Sequence, residues 1–168
     1  ELLPHLDMVL LAGITGAMSL SQSLKTVRYL PVGVASAFKR SVFVPTLLLV
    51  DYVMFGETLT LSKGFFTFII IGSAFLLGKK SHWMPHLDTN TMKGIAHCGI
   101  GSLFGAASFY FMSRTARELD PLLSAYLWEV TIAFFAFLFV MLRSFRGASL
   151  QKISGKDFWT IFLYSSPT

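Results

Sequence analysis

Charged residues are scarce in this sequence. Asp, Glu, Lys and Arg make up 14% of its 168 residues, whereas a soluble globular domain carries about 25%. Hydrophobic residues reach 54% and occur in long blocks instead of short alternating stretches. This pattern excludes an ordinary soluble domain and favours an integral membrane protein.

Cysteine is almost absent, and the common signatures of soluble enzymes are missing. Cys98 is the single cysteine, so no disulfide joins two parts of this chain. We find no P-loop, no dinucleotide glycine fingerprint and no clustered metal-ligand spacing. His97 and Cys98 are adjacent and would point in different directions on a helix, which favours structural roles for both. The sequence therefore predicts a protein that is not an enzyme and has no cofactor or metal.

Long apolar stretches are abundant. A spanning helix needs about 20 mainly apolar residues, and backbone groups must be paired in hydrocarbon, so each span is predicted to be α-helical. Five spans and the first turns of a sixth helix are predicted, at 8–27, 31–55, 61–78, 94–112, 122–142 and 158–166. The most polar connector, 81–93, is the expected boundary between two units, 1–80 and 94–168.

Two features of the first two spans predict how they pack. Gly13, Ala17 and Ser21 recur every four residues, and such a stripe of small residues allows close helix packing in a membrane. Pro31 suits a helix start, while Pro45 lies inside the second span and should kink or locally open that helix.

Three ionised residues interrupt the second span. Lys39, Arg40 and Asp51 would each cost about 2.5 to 3.5 kcal/mol at a bilayer centre on insertion scales. Arg40 and Asp51 would lie roughly 16 Å apart along a straight helix, too far to pair. The two bases therefore need a counterion from another helix or from a ligand. Asp51 lies near the end of its helix, where it could equally be a solvated group at the membrane interface.

A phosphate-bearing small molecule would suit these two bases. Arginine grips phosphate with two parallel hydrogen bonds, and lysine supplies a compact point charge. In the alternative interpretation, Lys39 and Arg40 lie near an interface and extend into the lipid headgroups.

The fifth span contributes two further candidates. Glu129 is expected to pair with a base across the bundle, Lys39 or Arg40, or alternatively to handle a proton. Tyr126 lies three residues earlier, on a neighbouring part of the helix surface, and is expected to hydrogen-bond a substrate or Glu129. The candidate substrate-binding residues are therefore Lys39, Arg40, Tyr126 and Glu129.

The order of these features resembles the drug/metabolite transporter superfamily, of the EamA-like type. Residues 23–78, from "SLKTVRYLPVG" to "IIIGSAFLLG", resemble the end of its first repeat, and Gly56-Glu57 matches the "GE" that closes the fourth helix. Residues 94–130, from "GIAHCGIGSLFG" to "LLSAYLWEV", resemble the start of its second repeat. The resemblance implies ten helices in two inverted repeats, with a site between them at mid-membrane. This chain would be an internal fragment in which 1–80 holds helices three to five, and 94–168 holds helices six, seven and the start of eight.

The motif "FKRS", Phe38 to Ser41, resembles the nucleotide-sugar and triose-phosphate branch of that superfamily. A basic residue in the fourth helix of that branch contacts phosphate, which implies that Lys39 and Arg40 are substrate ligands. "YLWEV", Tyr126 to Val130, stands where nucleotide-sugar carriers often have an Asn-rich signature.

The resemblance implies an antiporter that exchanges a nucleotide-sugar for a nucleoside monophosphate in the Golgi or ER membrane. The alternatives are a triose-phosphate or phosphoenolpyruvate exchanger, an exporter of amino acids or other small metabolites, and a membrane scaffold that transports nothing. The expected partners are the lipid bilayer and a phosphate-bearing small molecule, without nucleic acid, and a homodimer stays open. Orientation also stays open, because the bias of loop bases puts one side in the cytosol and the family arrangement puts the other there.

Overall fold

The architecture is helical. The computed structural model describes residues 5–58, 60–80 and 89–145. Five α-helices follow one another in these ranges: α1 (Leu6–Thr26), α2 (Val32–Phe55), α3 (Leu61–Lys80), α4 (Thr89–Glu118) and α5 (Pro121–Phe145). The predicted all-α class is confirmed for this part of the chain, whereas the ten-helix repeat arrangement stays a prediction.

Three of the helices in the described ranges are long and apolar enough to cross a membrane: Val32–Phe55, Thr89–Glu118 and Pro121–Leu142. They correspond to the second, fourth and fifth predicted spans. They fit an integral membrane protein, because a stretch of this length and hydropathy matches the thickness of a bilayer.

Two other predicted spans form helices that do not meet the same criterion. The second half of α1 contains Ser19, Ser21, Gln22 and Ser23, which reduce its apolar character. In α3, the apolar helix found among the described side chains is Leu61–Ser73, which is shorter than a span requires. The sixth predicted helix, at 158–166, lies outside the described residues, as do 81–88 of the predicted connector.

The helix α4 is longer at both ends than the sequence predicted. Residues 89–93 belong to the predicted connector and 113–118 lie between two predicted spans, yet both stretches are helical. Hydropathy marks only the apolar part of a helix, whereas arginine and glutamate are also good helix formers. A helix can therefore continue beyond the apolar stretch that the sequence reveals.

A tight corner joins α4 to α5. The carboxylate of Asp120 accepts hydrogen bonds from the backbone N–H groups of Leu122 and Leu123, at 2.9 and 3.0 Å. Pro121 occupies the first position of α5, where its missing N–H costs nothing. This capping arrangement explains why α5 starts immediately after α4 ends.

Small residues bring α1 and α4 into close contact. The buried residues of these helices are mostly Gly, Ala and Ser: Ala12, Gly13, Gly16, Ala17 and Ser19 on α1, and Gly94, Gly101, Ser102, Ala106 and Ser108 on α4. Two serine hydroxyls donate to backbone carbonyls across the interface, Ser19 to Gly101 and Ser108 to Ala12, both at 2.7 Å. Such close packing with interhelical hydrogen bonds is typical of membrane helices.

The predicted stripe on α1 is only partly the packed face. Gly13 and Ala17 are buried, but Ser21 is half-buried, and the contact row continues through Gly16 and Ser19 instead. A spacing of four residues drifts by about 40° per step around a helix. The stripe therefore rotates out of the interface within two steps.

The helix α2 packs on α4, and α3 packs on α2. A left-handed Gly56 (φ 67°) ends α2, a conformation that glycine adopts without a steric penalty. Many large apolar side chains stay exposed, including Val53, Phe66, Phe68 and Phe134, as expected for surfaces that face lipid.

The chain divides into two compact units by its contacts, residues 1–137 and residues 138–168. The cavities and the hydrogen bonds between helices belong to the first unit. In the second, the described residues are helical up to Phe145.

Candidate functional site

A cavity of about 570 Å³ lies between α1, α2, α4 and α5. Its volume is in the range of sites that bind small molecules, which is about 300 to 1,000 Å³. Its walls are formed by Gly16, Ser19, Leu20, Ser36, Lys39, Arg40, Phe43, Gly105, Ser108, Phe109, Trp128, Glu129 and Ile132. Most of the wall is apolar or small, and three of these side chains ionise.

The three ionisable side chains all belong to residues that the sequence predicts to bind substrate. Lys39 and Arg40 come from α2, and Glu129 comes from α5. Lys39 is half-buried, whereas Arg40 and Glu129 are exposed. The fold therefore brings two cations and one carboxylate, which are distant in sequence, to the wall of one cavity.

Lys39 is held in place from two sides. Its ammonium group donates a hydrogen bond to the Ser23 hydroxyl of α1 at 2.8 Å. Its backbone carbonyl accepts one from Ser102 of α4 at 3.1 Å. Both contacts tie this turn of α2 to its neighbours, and the bond to Ser23 also fixes the position of the lysine ammonium.

The ion pair expected for Glu129 does not form. No nitrogen of Lys39 or Arg40 lies within 4.0 Å of its carboxylate oxygens. Among the residues that the structure describes, Arg40 and Glu129 also have no hydrogen-bonded side-chain partner. Both charges thus stay available to a bound molecule, because the two helices hold them on one cavity without bringing them together.

Tyr126 does not join the other three candidate residues at the cavity. Its side chain is 67% exposed, and it neither lines the cavity nor hydrogen-bonds Glu129. The packed face of α5 is instead formed by Ser124, Trp128 and Ile132, spaced four residues apart. Tyr126 lies midway between the first two of these, which places it on the opposite side of the helix.

Asp51 lies on α2 but not on the cavity. It is half-buried and has no ion-pair partner within the described part of the chain. The sequence-based conclusion that it cannot neutralise Arg40 agrees with this placement.

An aromatic wall stands beside the charges, and sequence reasoning did not identify it. Phe43, Phe109 and Trp128 meet edge to face, with ring centroids 6.5 Å apart for the first pair and 6.4 Å for the second. The indole N–H of Trp128 donates to Ser108 at 2.8 Å. Because that N–H is occupied, Trp128 presents mainly an apolar ring to the cavity. The Trp128-Glu129 dipeptide within an apolar span was the one available signal.

A second, smaller cavity of about 190 Å³ shares Ser36 and Lys39 with the first. Ser23, Thr26 and Cys98 also line it. Cys98 faces α2, with its thiol 3.6 Å from the Ala35 carbonyl, whereas His97 contacts Gln22 of α1 at 2.8 Å. This divergence matches the sequence-based interpretation that the two adjacent residues point in different directions.

An ionic cluster forms around a carboxylate that lies outside the spanning segments. Glu57, between α2 and α3, accepts hydrogen bonds from Lys63 at 3.0 Å and from Arg117 of α4 at 3.3 Å. The Arg117 guanidinium also lies 4.0 Å from the centre of the Phe55 ring. The hydrogen bond and charge of Lys63, followed by Arg117, hold the pKa of Glu57 below its usual value.

No group of three or more His, Cys, Asp or Glu side chains in the described ranges is arranged to hold a metal ion. The cavity therefore offers charged and aromatic groups to a ligand, without a metal cluster in this part of the chain.

Comparison with family models, with curated proteins and with solved structures finds no match to this chain.

Proposed function

We propose that this chain is part of a membrane antiporter for a phosphate-bearing sugar metabolite, a nucleotide-sugar exchanged for a nucleoside monophosphate. The observation that supports this is the shared cavity, in which Lys39 and Arg40 stand among helices apolar enough to span a bilayer. A Golgi or ER location belongs to the same proposal and rests on the sequence resemblance alone.

Phosphate recognition follows from the properties of the two bases. An arginine fork binds two phosphate oxygens at once, and a lysine adds a second positive charge from the next position. Away from bulk water these attractions are stronger than in solution. Without a protein counterion within 4.0 Å among the described residues, Arg40 keeps its donors for a ligand.

The transport step needs no covalent chemistry. A substrate that binds the inward-open and outward-open cavities with suitable affinities shifts the population between them. In inverted-repeat carriers the two halves rock about a fixed central site. Lys39, tied to α1 through Ser23 and to α4 through its carbonyl, would couple substrate binding to the relative positions of three helices.

One observation favours a second candidate, an exporter of zwitterionic amino acids. Glu129 shares the cavity with Lys39 and Arg40, and a site with charges of both signs complements an ammonium and a carboxylate. This candidate predicts uptake of amino acids that ignores phosphate compounds.

The test is counterflow exchange by the full-length protein in proteoliposomes. Vesicles loaded with a nucleoside monophosphate should take up labelled nucleotide-sugar, and Arg40→Ala should reduce this at least tenfold. Arg28→Ala removes the same charge from an exposed turn away from the cavity and is the matched control.

Three outcomes would contradict the proposal. Exchange that ignores nucleoside monophosphates but responds to triose phosphates indicates the other phosphate branch. Amino-acid uptake unaffected by phosphate compounds supports the zwitterion exporter. Equal activity of the Arg40 and Arg28 variants would show that the base at position 40 has no role in binding.

A further inference from the structure

The carboxylate of Glu129 poses a problem for a site that binds phosphate. An ionised carboxylate only accepts hydrogen bonds and repels an anion placed beside it. Glu129 nevertheless lines the same cavity as Lys39 and Arg40, and no atom of either base pairs with it. The part of the ligand that reaches Glu129 must therefore carry hydrogen-bond donors and no negative charge.

The aromatic ring of Trp128 restricts which chemical groups of the ligand can lie beside Glu129. Trp128 precedes Glu129 on α5. The ring of Phe109 packs edge to face against the ring of Trp128, with the two ring centroids 6.4 Å apart. Since its N–H is bonded to Ser108, Trp128 offers the ligand an apolar ring surface. The wall thus combines a flat apolar surface with an adjacent pure acceptor.

A sugar ring has both of the required properties. It carries C–H groups on its faces, which pack on an aromatic ring, and hydroxyl donors around its edge, which a carboxylate accepts. An isolated ammonium would satisfy Glu129 but would make no use of the aromatic surface. A phosphate group would be repelled from it.

We infer that Trp128 and Glu129 form the sugar subsite of this cavity, while the phosphates lie toward Lys39 and Arg40. This inference rests on the proposed function and assigns the orientation of the substrate within the site. Glu129 is then a residue that determines specificity, because it distinguishes a sugar-terminated diphosphate from the same diphosphate without its sugar.

The inference predicts effects of opposite sign for Glu129→Gln. The substitution keeps the side-chain shape but removes the negative charge. A nucleotide-sugar should bind about tenfold more weakly, because charge-assisted hydrogen bonds to its hydroxyls are replaced by neutral ones. The sugar-free nucleoside diphosphate should bind two- to fivefold more tightly, because the repulsion of its terminal phosphate is removed.

The experiment measures inhibition of counterflow by two matched pairs, UDP-glucose with UDP and GDP-mannose with GDP, on the full-length protein. Within each pair the base and both phosphates are the same and only the sugar differs. Asp51→Asn is the matched control, since it removes one carboxylate from α2 away from the cavity and should leave all four affinities unchanged.

A second variant tests the ring. Trp128→Leu should weaken binding of the nucleotide-sugars severalfold more than that of the free diphosphates. Ser108→Ala removes the hydrogen bond to the indole but keeps the ring, so it should change both members of a pair equally.

The outcomes separate this inference from the proposed function. If Glu129→Gln weakens both members of each pair equally, the residue is structural and the inference is wrong. If only the guanine pair changes, and GDP changes as much as GDP-mannose, Glu129 contacts the base and the inference is again wrong. The proposed function survives either result, provided that Arg40→Ala still weakens all four ligands. If the wild-type protein binds none of the four, both proposals are wrong.

Discussion

The ammonium group of Lys39 on α2 donates a hydrogen bond to the hydroxyl of Ser23 on α1 over 2.8 Å. Lys39 also lines both cavities. One side chain therefore joins two helices at the boundary between two cavities. Among the residues that the structure describes, the Lys39 ammonium has one hydrogen-bond partner. It keeps further donors for a ligand, because an ammonium carries three N–H groups.

Lys39→Ala should abolish exchange in proteoliposomes while leaving the protein folded. The substitution removes the cation from the cavity wall but keeps the backbone carbonyl that accepts from Ser102. Folding is checked by size-exclusion elution and helical circular dichroism, and binding by the substrate-dependent thermal shift. Uptake equal to that of the wild type would contradict a role for Lys39 in binding.

Ser23→Ala separates the two roles of Lys39. It removes the interhelical hydrogen bond but keeps the charge, so affinity should fall only a few-fold. A complete loss of exchange in Ser23→Ala would mean that the interhelical contact, and not the cation itself, is what transport requires.

Gly13→Ala should destabilise the protein by about 1 to 3 kcal/mol, the usual cost of overpacking a close-packed site. A Cβ at Gly13 would lie 2.6 Å from the Thr131 Cβ and 3.0 Å from the Thr131 backbone carbon, which cannot move without shifting α5. Thermal unfolding in detergent measures the effect.

The control for this prediction is Gly99→Ala on α4, where a Cβ would meet nothing within 4 Å. That change should be neutral or stabilise by up to about 1 kcal/mol, because alanine favours a helix over glycine. Equal effects at positions 13 and 99 would show that α1 and α5 do not approach as closely as described.

Ser108 and Trp128 should be energetically coupled. The Ser108 hydroxyl accepts from the Trp128 indole at 2.8 Å and donates to the Ala12 carbonyl at 2.7 Å, so it links α5, α4 and α1. A double-mutant cycle with Ser108→Ala and Trp128→Phe should give a coupling of about 0.5 to 1.5 kcal/mol, the net value of one hydrogen bond. Strictly additive effects on unfolding would indicate that this bond is not formed.

The ionic cluster around Glu57 should make stability depend on pH. Lys63 and then Arg117 lower the pKa of Glu57 from 4.5, so its charged form favours the folded state. A lowered pKa means that the contribution is present above the unfolded value and is lost as the pH falls through the folded value. The melting temperature of the wild type should therefore decline as the pH falls below about 4.5. The decline should be smaller for Glu57→Gln.

The effect should be small and sensitive to salt, because the three side chains of this cluster are 40 to 54% exposed to solvent. Asp7→Asn, which removes an exposed carboxylate from the first turn of α1, controls for general effects of charge. A wild-type curve identical to that of Glu57→Gln in acid would show that the cluster does not stabilise the fold.

The order of the amino acids was sufficient for the helices and for the position of the charges along them. Hydrophobic blocks of spanning length predict α-helices, since an unpaired backbone is too costly in hydrocarbon. Three of the four nominated residues, Lys39, Arg40 and Glu129, line one cavity because charges inside apolar helices tend to face a cavity or a partner. The ends of α4 were missed, because hydropathy does not register a helix that continues through charged residues.

Which side chains share that cavity was decided by how the helices pack. Gly13 and Gly16 let Thr131 and Ile132 approach α1, and this contact fixes the rotation of α5. The same rotation turns Tyr126 outward and brings Trp128 and Glu129 to the cavity. A one-dimensional pattern places a residue at an angle around its own helix, but only the neighbouring helices determine which angle faces inward, because close approach depends on small residues that meet across an interface.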